Sequence, residues 1–223
     1  MNVRAAAVQT SPVFLDREAT VEKACGFIDT AAAGGAGLIV FPETFVPAYP
    51  DWVWRSRPWD DGASDWYARL LDQSVVIPGP ATDALGEAAA AAEAYVSIGV
   101  NERDGSTLYN TVVYVGPDST LLGAHPSSCP PAASGSCGAC RDDLYGGEDD
   151  WLARGNSAIV APDGDILAGP LVEAEGIVYA DIDVARAHLA HRQIDPIGHY
   201  ARPDVFQLHV DTRPKPPVEL TDQ

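Results

Sequence analysis

The sequence predicts an α/β fold, because apolar strand patterns alternate with a helical pattern at its start. Residues 3–8 form an Ala- and Val-rich run that is typical of a strand. Apolar residues then recur at helical spacing from Val21 to Ala32, after a candidate N-cap at Thr20. Residues 38–41 are a second apolar run. This order indicates a βαβ unit, whose connection implies parallel strands.

Further elements follow along the chain. Additional helices are predicted at residues 64–71 and 82–94. Additional strands are predicted at residues 95–100, 108–115, 121–122, 158–161, 166–168, 177–182 and 206–210. Asp183 is placed to cap a helix that runs to about Gln193. Residues 124–147, by contrast, are rich in Pro, Ser, Cys and Gly without a hydrophobic period, and no regular structure is predicted there.

Composition and charge exclude several classes of partner. The 223-residue chain carries a formal net charge of −18, which argues against nucleic acid or an anionic membrane, since both require clustered Lys and Arg. No signal peptide precedes Gln9 and no apolar stretch approaches the length of a membrane span. We therefore expect a cytoplasmic protein, and its length allows one domain with a sizeable core or at most two small domains.

Glu43 is the candidate catalytic residue. It follows the apolar run 38–41 directly after Pro42, which cannot donate to a sheet, so it lies where a strand of an α/β layer ends. Its neighbours are apolar: Phe41, Phe45, Val46, Pro47 and Tyr49. An apolar wall raises the pKa of a carboxyl group and makes it a usable general base. The alternative is a charged residue on a surface loop.

Other candidate residues have plainer interpretations. Trp52, Trp54 and Trp59 either line a substrate pocket or pack their loop onto the core. Cys25 falls on the apolar face of the first helix and is expected in the core. Turn, strand-end and capping roles are expected for four more residues, His199, His209, Asp181 and Asp183.

The irregular segment also allows a metal site. One His and three Cys, including a Cys-x-x-Cys pair, have the chemistry of a tetrahedral zinc site: His125, Cys129, Cys137 and Cys140. No second Cys-x-x-Cys pair and no framing strands accompany them, so no metal or other cofactor is predicted.

Two blocks of sequence carry a family resemblance. The first runs from residues 3–9 through Phe-Pro-Glu-Thr-Phe at 41–45 to residues 95–99 and Leu-Tyr-Asn-Thr at 108–111. The second comprises residues 155–157, 162–164, 168–171, 179–183 and 198–206. Together, over residues 1–123 and 144–213, they resemble the nitrilase branch of the carbon–nitrogen hydrolase superfamily.

This resemblance implies an αββα sandwich of the carbon–nitrogen hydrolase type, incomplete in its middle portion. It also implies a single domain over residues 1–213, interrupted at 124–147, with a tail at 214–223. The family hydrolyses nitriles or amides with a Glu, a Lys and a Cys, and commonly self-associates. Glu43 matches the family's Glu and would accept the thiol proton when a Cys thiolate attacks the nitrile carbon.

The family's Lys and Cys have no match. The only lysines are Lys23 and Lys215, and no Cys is followed by Trp-Glu as in the family's nucleophile motif. The codons possible for residues 126–139, read from the last base of the Pro126 codon, permit Lys-Leu-Val-Pro-Thr-Gly-Gly-Glu-Arg-Leu-Val-Trp-Gly. This run fits the family's Lys motif and the segment after it. Our hypothesis is a frameshift joined to an internal deletion, and the alternative is a genuine new loop.

Three interpretations of function are open on the sequence. The first is a nitrilase that converts a nitrile to a carboxylic acid and ammonia. The second is an inactive remnant or a binding or assembly module, because the Lys and Cys are unmatched. The third is an amidase of the same superfamily. In each case we expect a homo-oligomer, since missing central elements would expose sheet edges and apolar faces.

Overall fold

The computed structural model describes residues 2–54, 57, 61–127 and 154–186. Predictions for Trp59, Lys215 and the helix beyond residue 186 lie outside the described residues. So do those for His199, His209, Cys129, Cys137, Cys140 and the strand at 206–210. The side chain of Trp54 is likewise not described.

The predicted helices and strands within the described ranges are present. The helices are α1 (Arg17–Ala33), α2 (Asp61–Gln73) and α3 (Pro80–Ala91), and a short 3-10 helix spans Asp51–Trp54. The strands are β1 (Asn2–Gln9), β2 (Leu38–Val40), β3 (Tyr95–Asp104), β4 (Thr107–Val115), β5 (Leu121–Ser127), β6 (Gly155–Val160), β7 (Ile166–Val172) and β8 (Gly176–Asp183).

A six-stranded sheet with the order β5-β4-β3-β2-β1-β8 organises the molecule. β2 lies parallel to both β1 and β3, which confirms the predicted βαβ unit, and the other neighbours in this sheet are antiparallel. β6 and β7 form a separate two-stranded antiparallel sheet.

The two faces of the large sheet have different partners. On one face, Ile28 of α1 and Leu85 of α3 pack against Ile39, Ile98 and Val113 of the sheet, and all five are buried. The smaller sheet contacts β1 through the Gln9 side chain, whose Nε2 donates to Ala174 O (2.7 Å) and whose Oε1 accepts from Ser157 N (3.0 Å).

Side chains alternate along a strand, so Gln9 points away from the helix-side core that contains its neighbour Val8. β6 and β7 therefore lie on the face opposite to the helices. The described residues thus provide one helical layer, one six-stranded sheet and two strands of a second sheet. This arrangement is an αββα sandwich that is incomplete in its middle portion.

Three local predictions were wrong. Asp16, not Thr20, caps α1: its side chain accepts from Ala19 N, whereas Thr20 is buried and its hydroxyl donates to Val13 O (3.0 Å). Strand β5 continues through residues 124–127, because pairing with β4 overrides a weak local pattern. Cys25 lies half-buried at the margin of the core and not within it.

The described part of the chain lacks two kinds of feature. It contains no helix long and apolar enough to cross a membrane. It also contains no group of three or more His, Cys, Asp or Glu side chains able to hold a metal ion. Of the four candidate zinc ligands, His125 alone lies in this part, exposed on β5.

Candidate active site

The backbone around Glu43 is fixed by strand β3. Phe41 N donates to Ser97 O (2.8 Å), and Gly99 N donates to Pro42 O (3.1 Å). Beyond Glu43 the chain returns to β3, where Val46 N donates to Gly99 O (3.2 Å). Glu43 therefore sits on a short turn that leaves β3 and rejoins it within a few residues, at the end of β2 as the sequence predicts.

This turn is strained and tightly packed. Thr44 has a φ of 45°, in the left-handed region that a β-branched residue rarely adopts. A Cβ at position 99 would lie 2.3 Å from the Glu43 Cα and 2.4 Å from Thr44 N, so glycine is required where the turn crosses β3. Such strain persists only where the surrounding structure enforces it, and it concentrates at functional sites.

The two carboxylate oxygens of Glu43 have different surroundings. Asn110 of β4 donates from Nδ2 to Oε2 at 3.3 Å. Oε1 is out of contact with solvent and has no hydrogen-bond partner among the described residues, and neither has the hydroxyl of Thr44. Burial raises the pKa of the Glu43 carboxyl, and the hydrogen bond from Asn110 partly opposes that rise in pKa. A carboxylate in this state is suited to accept a proton.

Asn101 holds the far end of the Glu43 segment. Its side chain is buried and donates from Nδ2 to Ala48 O at 2.8 Å, and its backbone N–H donates to Val46 O at 2.7 Å. Asn101 and Asn110 are direct partners across β3 and β4. The sequence alone indicated no role for either asparagine or for Gly99. The Leu-Tyr-Asn-Thr motif at 108–111 was the available signal for Asn110.

The site lies on the face of the sheet opposite to the helices. Val100 and Val113, which alternate with Asn101 and Asn110 along their strands, belong to the helix-side core. The two asparagines and Glu43 therefore share the opposite face. On that face the side chains near β2–β5 are largely uncovered by described residues: Val40, Tyr95, Tyr114 and Leu122 are 38%, 52%, 43% and 55% exposed. They line a depression of about 350 Å³.

The described lysine and cysteine are not near Glu43. Lys23 of α1 donates to Ser11 O (2.8 Å) and forms an ion pair with Glu175 (2.9 Å). Cys25, also on α1, has its Sγ 3.9 Å from Ala84 O. Burial, together with Asp29, Glu22 and Glu87, raises the pKa of the Cys25 thiol, which disfavours a thiolate.

The remaining candidate residues have structural roles. Trp52 is 2% exposed and packs against Phe14 and Trp66, with ring centroids 6.0 and 5.6 Å apart, so the packing interpretation applies to it. Asp181 pairs with Arg4 at 3.7 Å at the end of β8. Asp183 accepts a hydrogen bond from Ala185 N at 3.0 Å, as a cap should.

Comparison with known proteins gives a consistent result. The profile of a family described as carbon-nitrogen hydrolase matches residues 4–128 and 123–192. A nitrilase from Paraburkholderia phymatum is 32% identical over 303 residues, covering 97% of this chain and 88% of the relative. An aliphatic nitrilase from Sinorhizobium fredii is 32% identical over 302 residues, covering 96% and 97%.

A third relative matches a shorter stretch more closely. A nitrilase from a Bacillus strain is 43% identical over 122 residues, which is 55% of this chain and 35% of that protein. In the P. phymatum match, 97% of this 223-residue chain is about 216 residues, so about 87 of the 303 aligned positions have no residue from this chain. The two family matches meet at residues 123–128.

Solved structures share the fold. A member of branch 10 of the nitrilase superfamily from Saccharomyces cerevisiae superposes with a TM-score of 0.61 at 18% identity, covering 90% of this chain and 97% of that one. A carbon–nitrogen hydrolase superfamily protein from Xanthomonas campestris gives 0.60 at 14% identity, covering 88% and 96%.

Proposed function

Because the chain belongs to the carbon–nitrogen hydrolase family and is nitrilase-like within it, we propose that Glu43 is the general base of a site for nitrile hydrolysis. The substrate is a small nitrile and the products are a carboxylic acid and ammonia. One observation carries the assignment: Glu43, at a strand end, has a raised pKa and one carboxylate oxygen that is buried without a hydrogen-bond partner among the described residues. Such a group is suited to accept a proton.

In this reaction the proton acceptor has a defined task. A thiol adds to the nitrile carbon and gives its proton to the base; water then displaces ammonia and a second water releases the acid. Glu43 supplies the acceptor. The described residues supply no nucleophile beside it, since Cys25 lies on the helix side of the sheet. Loss of a nucleophile typically lowers kcat by a factor on the order of 10⁴ to 10⁶. We therefore expect turnover far below that of an intact nitrilase.

Ammonia release from a panel of small nitriles tests the proposal. The full chain should give slow release that disappears in Glu43→Gln, while a variant of an exposed carboxylate remote from the site, Glu93→Gln, should match the parent rate. Turnover that survives Glu43→Gln would overturn the assignment of the base. Matched amides distinguish a nitrilase from an amidase: faster release from the amide than from the corresponding nitrile would favour the amidase.

A second candidate, a non-catalytic assembly module, rests on the exposed sheet face. Val40, Tyr95, Tyr114 and Leu122 form an exposed apolar strip next to the site. A second copy of the chain, stacked sheet against sheet, would bury this strip, and the proposed homo-oligomer rests on that argument. Sedimentation should give a mass above that of the monomer. A single monomeric species at all concentrations would contradict association.

The domain organisation is part of the proposal. A single domain interrupted near residue 124 is supported by the two family matches that meet at 123–128 and by the alignment gap of about 87 positions. A frameshift with deletion makes one firm prediction. The nucleotide sequence across codons 126–139 should encode the Lys motif in another frame, and its absence from both other frames would exclude the frameshift. A cytoplasmic location stays a prediction from sequence.

A further inference from the structure

The neighbours of the Glu43 carboxylate make its two oxygens chemically distinct. Oε2 accepts the Asn110 amide at 3.3 Å, whereas Oε1 is buried and has no donor in the part of the chain that the structure describes. A buried acceptor without a donor is costly, and in a native protein it calls for an explanation. At a site for proton transfer the explanation is that Oε1 lacks a donor because it is the atom that accepts the proton.

Asn110 is held rigidly enough to orient the carboxylate. It lies within β4 and pairs with Asn101 of β3 on one side and with Ser127 of β5 on the other. Its backbone therefore has a neighbouring strand on both sides. Asn101, its direct partner, donates to Ala48 O. The asparagine pair therefore binds the Glu43 segment at two points. Asn110 donates to the Glu43 carboxylate, and Asn101 donates to the backbone carbonyl of Ala48, five residues later. Groups carried on strands position a reactive side chain more precisely than loops do.

The amide is also the appropriate donor for this purpose. It does not titrate, so it neither competes for the proton nor neutralises the carboxylate. Burial and the Asn110 hydrogen bond are the two causes that act on the Glu43 pKa, with no contribution from a charged side chain among the described residues. A long hydrogen bond of 3.3 Å leaves the basicity of the carboxylate largely intact.

We propose that Asn110 is a positioning residue that holds Glu43 by Oε2 and so assigns Oε1 as the atom that accepts the proton. The inference rests on the proposed role of Glu43 as general base. Asn110 itself takes no part in proton transfer. Its removal would free the carboxylate to rotate and would withdraw the donor that favours the ionised form.

A carboxyl titration of the full chain tests this without requiring turnover. Glutamate labelled with ¹³C at its side-chain carboxyl gives one NMR signal per residue, and Glu43→Gln identifies the signal of Glu43. The pKa of Glu43 should be higher in Asn110→Ala than in the parent chain. Tyr114→Ala, on the same strand and face but away from the carboxylate, is the matched control and should leave the Glu43 pKa unchanged.

The outcomes separate the two proposals. A Glu43 pKa in the parent chain at or below its ordinary value contradicts the general-base role. A raised parent pKa that is the same in Asn110→Ala, or that Tyr114→Ala shifts equally, contradicts the positioning role alone. If Asn110→Ala does not fold, the isosteric Asn110→Asp replaces the donor with a second carboxylate, which should raise the Glu43 pKa by repulsion. An unchanged titration in that variant also overturns the proposal.

Discussion

The backbone of Glu43 crosses strand β3 directly over Gly99, so closely that a methyl group at position 99 would lie 2.3 Å from the Glu43 Cα. Gly99 in turn donates its N–H to Pro42 O and accepts from Val46 N, on the two sides of the turn. The position of the carboxylate is therefore set by the absence of a side chain on β3, the next strand along the chain. Space, and not a special φ angle at Gly99, is the requirement.

Gly99→Ala should accordingly disturb both stability and the site. The added methyl group meets backbone atoms that cannot move aside, and overpacking of this kind costs about 1–3 kcal/mol of unfolding free energy. Urea denaturation measures that loss. Gly123→Ala on β5 is the control, because a Cβ there meets nothing within 4 Å. An equal loss of unfolding free energy in the two variants would show that the backbone of Glu43 leaves room for a methyl group at position 99.

The raised pKa of Glu43 predicts a pH-dependent effect of Glu43→Gln. The folded state binds this proton more tightly than the unfolded chain does, so the parent loses stability as pH rises through the folded-state pKa of Glu43. The variant has no such loss. Its stability relative to the parent should therefore improve from acid to neutral pH, as measured by thermal unfolding at several pH values. A difference that does not change with pH contradicts this expectation.

Position 127 offers a test of the proposed frameshift. Ser127 ends β5 as the direct partner of Asn110, whose amide donates to Glu43. In the proposed frameshift, the Lys codon would span the end of codon 126 and the start of codon 127. The register puts position 127 on the face that carries Asn110. Ser127→Lys should lower the pKa of Glu43 by placing a cation near it, and Ser127→Met, similar in length but uncharged, should not. Identical carboxyl titrations of these two variants would argue against a lysine site at this position.

The turn between β7 and β8 depends on Glu175. Burial alone would raise the pKa of this carboxyl, but hydrogen bonds from Ser11 N, Lys23 and Thr10 together hold it below the usual range. Stability from this group is present above the unfolded-state pKa and is lost as pH falls through the folded-state pKa. Glu175→Gln should cost about 1 kcal/mol at pH 7, with the cost diminishing in acid.

Glu173→Gln is the matched control for that substitution. Glu173 lies in the same turn, and its side chain is as exposed as that of Glu175 (44%). Its ion-pair partner Arg154, at 2.7 Å, is 64% exposed, whereas Lys23 is 29% exposed. Exposed ion pairs contribute about 0–1 kcal/mol, so the control should have a smaller effect in chemical denaturation. A control that is as destabilising as Glu175→Gln would show that the hydrogen bonds that Glu175 accepts from Ser11 N and Thr10 add nothing to its ion pair.

Local sequence predicted much of the fold. The βαβ start, the existence of strands β3 and β4, and the strand-end place of Glu43 all follow from periodicity and from Pro42, which are properties of a few neighbouring residues. Three outcomes did not follow. Thr20 is a residue type that caps helices, yet it is buried and Asp16 is the cap. Residues 124–127 have no strand pattern, yet they pair with β4. Cys25 has the spacing of a core residue, yet it lies only at the margin of the hydrophobic core. Each depends on partners distant in sequence.

The sequence by itself determined the family, the α/β class and the presence of a carboxylate where a strand ends, because motifs and hydrophobic periods are local. The tertiary structure alone decided that Gly99 makes room for Glu43, that Asn110 holds Oε2, and that Oε1 has no donor among the described residues. It also placed Lys23 and Cys25 on the helix side of the sheet. These are contacts between residues far apart in the chain, and strand register, which no local pattern specifies, brings them together or keeps them apart.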